Sequence, residues 1–149
     1  MLIARTAILT VLLALAGCRD LTVKMAVFQT VEEARAVGAV TAGWVPEGLP
    51  AMASDLRLGY LPGGQHWGVF AFRPADEAAV RALTASEITT GTLACRPPGR
   101  LEFWPRLLHG PVDVATVRAT GFRLYHGRDA RTYAVNWGQG RAYFWSEER

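Results

Sequence analysis

From Leu21 to Phe28 the chain alternates. Leu21, Val23, Met25 and Val27 are separated by Thr22, Lys24 and Ala26, a period of two that predicts a strand or an extended segment packed on the domain. Thr30-Val31-Glu32-Glu33 then has the form of a capping box, with Thr30 at the N-cap and Glu33 at N3. The helix it opens is expected to run to about Val40 and to close at Gly43. Beyond the Pro46 to Pro50 turn the period returns to two. Leu56, Leu58 and Tyr60 share one face, and Asp55, Arg57 and Gly59 the other. Pro62-Gly63-Gly64-Gln65 is a strong turn signal, and Trp67 to Arg73 supplies the return strand of a hairpin. That return strand is apolar on both faces, Phe70 and Phe72 against Trp67, Val69 and Ala71. It is therefore either a central strand covered twice or one that keeps a face for a partner.

Pro74 predicts a helix start, with Asp76 and Glu77 placed favourably in its first turn and Ala79, Val80 and Leu83 continuing it. Between Thr84 and Gly99 the pattern is weak, with an edge strand expected over Glu87 to Thr92. Pro97-Pro98-Gly99 interrupts the chain before Leu101-Glu102-Phe103-Trp104. A further helix is expected with Pro111 at N1, Asp113 in its first turn, Arg118 near its end and Gly121 at C′. The C-terminal part reads as a meander of strands at 122–126, 131–136 and 141–145. Its turns are at Gly127-Arg128-Asp129 and Trp137-Gly138-Gln139-Gly140. The expected fold is α+β, a single domain with an antiparallel sheet of about five strands and two or three helices.

Ahead of these elements the chain has a different composition. Arg5 precedes an apolar run from Ala7 to Ala16, which ends in Leu15-Ala16-Gly17-Cys18. A basic start, a short apolar stretch and small residues at the end describe a secretory signal peptide. The run is short of the ~20 apolar residues needed to span a bilayer. Leu15-Ala16-Gly17-Cys18 resembles the bacterial lipobox, which implies cleavage before Cys18 and attachment of diacylglycerol and palmitate-type chains to it. The expected division is a lipoprotein signal peptide at 1–17, a lipidated N-terminus and short tether at 18–29, and the α+β domain at 30–149. Arg19 stands where an aspartate would resemble the inner-membrane retention signal of enteric bacteria. Outer-membrane delivery, facing the periplasm, is accordingly favoured.

Charge adds little to this picture. The formal net charge is +3, and the basic residues are spread along the chain rather than clustered, so no nucleic-acid partner is expected. Nor does the chain carry G-x-S-x-G, H-E-x-x-H, Walker A or Rossmann glycine patterns. His66, His109 and His126 are spaced so that no two share a helix face, and they read as solvated loop histidines. Cys95 is expected to be a buried, inert thiol. Asp76 and Glu77 are adjacent, so helix-terminus electrostatics accounts for them better than acid–base work. No catalytic residue, metal site or cofactor is expected. The tryptophans, Trp44, Trp67, Trp104, Trp137 and Trp145, are expected mainly in the core, with Trp44 as a plug and Trp137 the most exposed. Trp67, Val69, Ala71 and Trp137 form the candidate interaction surface.

Glu33-Ala34, Gly43-Trp44-Val45-Pro46, Leu49-Pro50, Ala53, Asp55, Leu56 and the return strand Trp67-Gly68-Val69-Phe70-Ala71-Phe72 together resemble small bacterial lipoproteins with a YbbD head-like domain. Such relatives usually carry a polar segment before the last strand, where this chain has Leu61-Pro62-Gly63-Gly64-Gln65. The resemblance spans about a third of the chain after Cys18. It implies lipoprotein status and an α+β fold without implying a reaction. The expected function is that of an envelope lipoprotein, anchored to the membrane through lipidated Cys18, with a non-enzymatic structural or protein-interaction domain whose partner would be another envelope protein. The alternative is a module that binds a sugar, a peptidoglycan fragment or a lipid through exposed aromatics.

Overall fold

A computed structural model describes residues 22–146. The signal segment, Cys18 and Leu21 lie outside the described residues. The alternation that begins the domain becomes strand β1, Lys24–Phe28, paired antiparallel with β2, Ser54–Tyr60, from Lys24 against Tyr60 to Phe28 against Leu56. Sheet structure thus starts at Lys24, inside the segment expected to be tether. Helix α1, Val31–Ala36, is capped as its sequence implies: Thr30 Oγ1 accepts from Glu33 N at 3.2 Å, and Glu33 Oε2 accepts from Gln29 N at 2.7 Å. It ends well before Val40. Gly38 enters the left-handed region at φ 82°, which terminates the helix one turn early, and Gly43, at φ 78°, closes the turn after it.

The return strand β3 spans His66–Ala71, and a 3₁₀ turn at Pro74–Asp76 leads into α2, Glu77–Leu83. In the weakly patterned region the single strand expected over Glu87 to Thr92 is replaced by two. These are β4, Thr84–Ile88, and β5, Thr92–Cys95, separated where Gly91 takes φ 96°. The helix expected from Pro111 also begins later. Gly110–Asp113 forms β6, paired with β5, and α3 covers Val114–Ala119. Asp113 decides that boundary: its Oδ2 accepts from Thr116 N at 2.8 Å and from Thr116 Oγ1 at 2.6 Å, which makes it the N-cap. The meander appears as β7, Arg123–Gly127, β8, Arg131–Asn136, and β9, Arg141–Ser146.

The architecture is α+β in one domain. Seven strands form an antiparallel sheet in the order β1-β2-β3-β9-β8-β7-β4, and β5-β6 make a separate two-stranded ribbon. The sheet is wider than the five strands expected, because β1 and β4 extend its two edges. Both faces of its centre are buried. On one side Leu56, Leu58, Phe70, Tyr133, Val135 and Phe144 pack with Val31 and Ala34 of α1, Val80 and Leu83 of α2, and Val45, Leu49 and Ala53. On the other, Trp67, Val69, Leu124, Ala134, Tyr143 and Trp145 pack with Leu101, Trp104, Leu108, Val112 and Val117. The period-two alternation of β3, β8 and β9 feeds the two cores in turn. Among the described residues no helix is long and apolar enough to cross a membrane.

Gly68 is where the centre of the sheet is tightest. It stands opposite Phe144, whose ring lies across the glycine so closely that any Cβ there would overlap ring carbons. Gly68→Ala should therefore overpack a buried aromatic contact and cost about 1–3 kcal/mol, read as a lower denaturant midpoint with an unchanged m-value.

Candidate functional site

Cover on the first face encloses a polar group of side chains. The tight turn before β3, in which Leu61 N donates to the Gln65 carbonyl at 2.8 Å, brings the Gly64 carbonyl to 2.8 Å from His66 Nδ1. His66 Nε2 lies 2.8 Å from Nε of Arg131, at the start of β8. A guanidinium only donates, so Nε2 accepts and the ring proton sits on Nδ1, facing Gly64. Arg131 continues the chain of contacts. Its Nη1 donates to Asp129 Oδ2 at 2.5 Å, and its Nη2 donates to the Gly43 carbonyl. Asp129 Oδ2 also accepts from the Tyr133 hydroxyl at 2.8 Å. His66 and Arg131 are 5% and 7% exposed. Every nitrogen of this arginine is thus directed at an acceptor, the condition for burying such a charge without large loss.

Electrostatics in the group follows from burial. Desolvation lowers the His66 pKa to about 4, and the Arg131 charge adds to the lowering. The Gly64 carbonyl and Asp129 act in the opposite direction. Tyr133 is pushed up, first by burial and then by the Asp129 carboxylate it faces. The set is therefore a neutral imidazole, an arginine–aspartate ion pair and a neutral phenol. Beside it a cleft of about 270 Å³ is lined by Gly43, Glu47, Leu83, Arg128, Asp129 and Arg131. Arg128 is partly committed there, its Nε donating to the Thr84 carbonyl at 3.0 Å.

His66 corrects the expectation of solvated histidines. It lies two and four residues ahead of Gly68 and Phe70, so the alternation that buries Phe70 buries it on the same face. His126 is exposed in β7, and His109 precedes β6 and lines a second cleft of about 280 Å³ with Arg100, Glu102, Trp104 and Arg106. Cys95 ends β5 and is buried in the second core. Among the described residues, no three His, Cys, Asp or Glu side chains group closely enough to hold a metal ion.

The candidate interaction surface is also corrected. Trp67 and Val69, at 3% and 0% exposed, lie in the second core beneath the 101–108 segment, so β3 is covered twice. Ala71 and Trp137 are half-buried. Trp137 packs edge-on against Phe72, donates from Nε1 to the Tyr125 hydroxyl at 3.0 Å, and carries the Arg81 guanidinium 4.0 Å above its ring. Trp44 is not a fully buried plug. It sits half-buried at the margin of the first core, stacked on Tyr60 with centroids 3.9 Å apart. Trp104 and Trp145 meet edge to face in the second core, and Trp104 Nε1 donates to the Leu108 carbonyl at 2.7 Å. Neither a family model, nor a curated protein, nor a solved structure matches the chain.

Folded His66 binds its proton more weakly than the unfolded residue does, whose pKa is near 6.5. Between about pH 6.5 and pH 4 the unfolded chain takes up the extra proton, so stability falls as pH drops through that interval and levels off below it. The loss from this group is at most about 3 kcal/mol. His66→Gln keeps an acceptor for Arg131 and cannot titrate, and urea unfolding at a series of pH values should show that part of the slope abolished.

Proposed function

We propose that the chain is a lipid-anchored protein of the bacterial envelope whose domain serves a non-enzymatic, structural or protein-interaction role. The observation that carries this reading is Leu15-Ala16-Gly17-Cys18 behind a short apolar run, with the sheet beginning at Lys24, so close after Cys18 that the domain would sit against the head groups. The likeness to small lipoproteins with a YbbD head-like domain adds to it. So does the disposition of the polar side chains. His66, Arg131, Asp129 and Tyr133 bond mainly to one another and to the carbonyls of Gly43 and Gly64, which is how a fold secures its loops. Outer-membrane attachment facing the periplasm is the favoured location, since Arg19 follows Cys18.

Binding of a sugar, a peptidoglycan fragment or a lipid through exposed aromatics is the second reading. Trp44 and Trp137 are its best support, as the half-buried tryptophans, although Tyr60 and Arg81 already occupy a face of each.

Metabolic labelling with a palmitate analogue tests the anchor. Wild-type protein should carry the label and sediment with membranes, and Cys18→Ala should lose both properties. An unlabelled wild type free in the periplasm would refute the reading.

A further inference from the structure

We propose that the corner of the sheet bearing Met25, Val27, Arg57 and Arg141 rests on the anionic lipid surface in which Cys18 is anchored, an inference that depends on the lipid-anchor reading above. In β1, Ala26 and Phe28 pack toward the first core and Val23 toward the second. Met25 and Val27 therefore belong to the second face, yet they are 50% and 63% exposed. On that face Leu101 and Val23 lie close to Gly59, whereas Arg57, the next residue of β2 with the same orientation, is exposed. Val27 is paired across the ladder with Arg57, which in turn opposes Val69 of the same face.

A β-bulge supplies the charges. The register of β2 shifts between Ser54 and Arg57, and Asp55 takes φ 49° there. Its carboxylate accepts from Arg57 Nε at 2.8 Å and from Arg141 Nη2 at 3.1 Å. Two guanidinium groups held by one carboxylate leave a net positive charge beside the Met25 and Val27 side chains. Aliphatic side chains flanked by cations are the composition that binds an anionic bilayer surface. Chain length makes the same choice of occupant. Seven residue steps separate Cys18 from Met25, no more than about 25 Å of chain at full extension. The acyl anchor thus holds β1 at the bilayer at any protein concentration, whereas a second copy must be found by diffusion.

The test uses the full acylated chain in vesicles of equal parts phosphatidylglycerol and phosphatidylethanolamine. An environment-sensitive fluorophore is placed at Val27→Cys and, as a control on the opposite sheet edge, at Ser86→Cys. Both positions are on strand surfaces, and buried Cys95 is protected from the label. Nitroxide-bearing lipids should quench position 27 several-fold more strongly than position 86, and aqueous iodide should do the reverse. Vesicle-bound protein with position 27 as open to iodide as position 86 would overturn the docking while leaving the anchor intact. Protection from iodide at position 27 that persists in detergent without lipid would assign the corner to a second copy instead. Failure of the wild type to float with vesicles would remove the anchor reading, and this inference with it.

Discussion

The double burial of β3 and β9 is the constraint on which the rest of the domain depends. Trp67 and Val69 face one way and Phe70 the other, and the same division recurs at Trp145 and Phe144 of the neighbouring strand. A sheet with apolar side chains on both faces is unstable in water until both are covered. The three α-helices among the described residues, of six or seven residues each, are too short to cover it alone. Irregular chain does much of the covering, 39–53 on one face and 101–108 on the other. Such segments hold their place only where their backbone groups find partners. Trp104, bonded to the Leu108 carbonyl, provides this on the second face.

On the first face the same task falls to Arg131. From one guanidinium, contacts run to the carbonyl that ends the post-helix turn at Gly43, to the imidazole beside the Leu61–Gln65 turn, and to the Asp129 carboxylate in the turn between β7 and β8. The neighbouring turn and two loops distant in sequence are tied to one strand residue. Placing a charge there is costly unless all its donors are matched, and that demand favours a single arrangement of the loops. Cleft shape beside Arg131 is a by-product of this arrangement: Gly43, Asp129 and Arg131 line it because they are already bound to one another.

Much of this was legible in the chain, and the failures have physical causes. Alternation located β1, β2, β3 and the meander, because a strand with a buried face must repeat every second residue. The apolar residues on both faces of β3 were legible too, but whether the second face met this chain or another molecule depended on where 101–108 folds, which no local pattern states. Helix boundaries went astray where a short-range competitor was stronger than the one weighed: Gly38 ahead of Gly43, and the Asp113 cap ahead of Pro111. The turn beside His66 points to a loop residue, whereas its parity with Phe70 places it inside. Arg131 was the least accessible, since its three partners lie 2, 65 and 88 positions away.

The strand order bears on when such a sheet can close during synthesis. β3 and β8, at the centre of the sheet, are joined only through β9, which comes after both in the chain. Until the residues of β9 have left a ribosome, these two central strands have open edges and neither core can close. Stable folding thereby waits for β9, however much of the domain has already been made. A polypeptide with this topology is most exposed to pairing with other chains in the interval before β9 becomes free to insert.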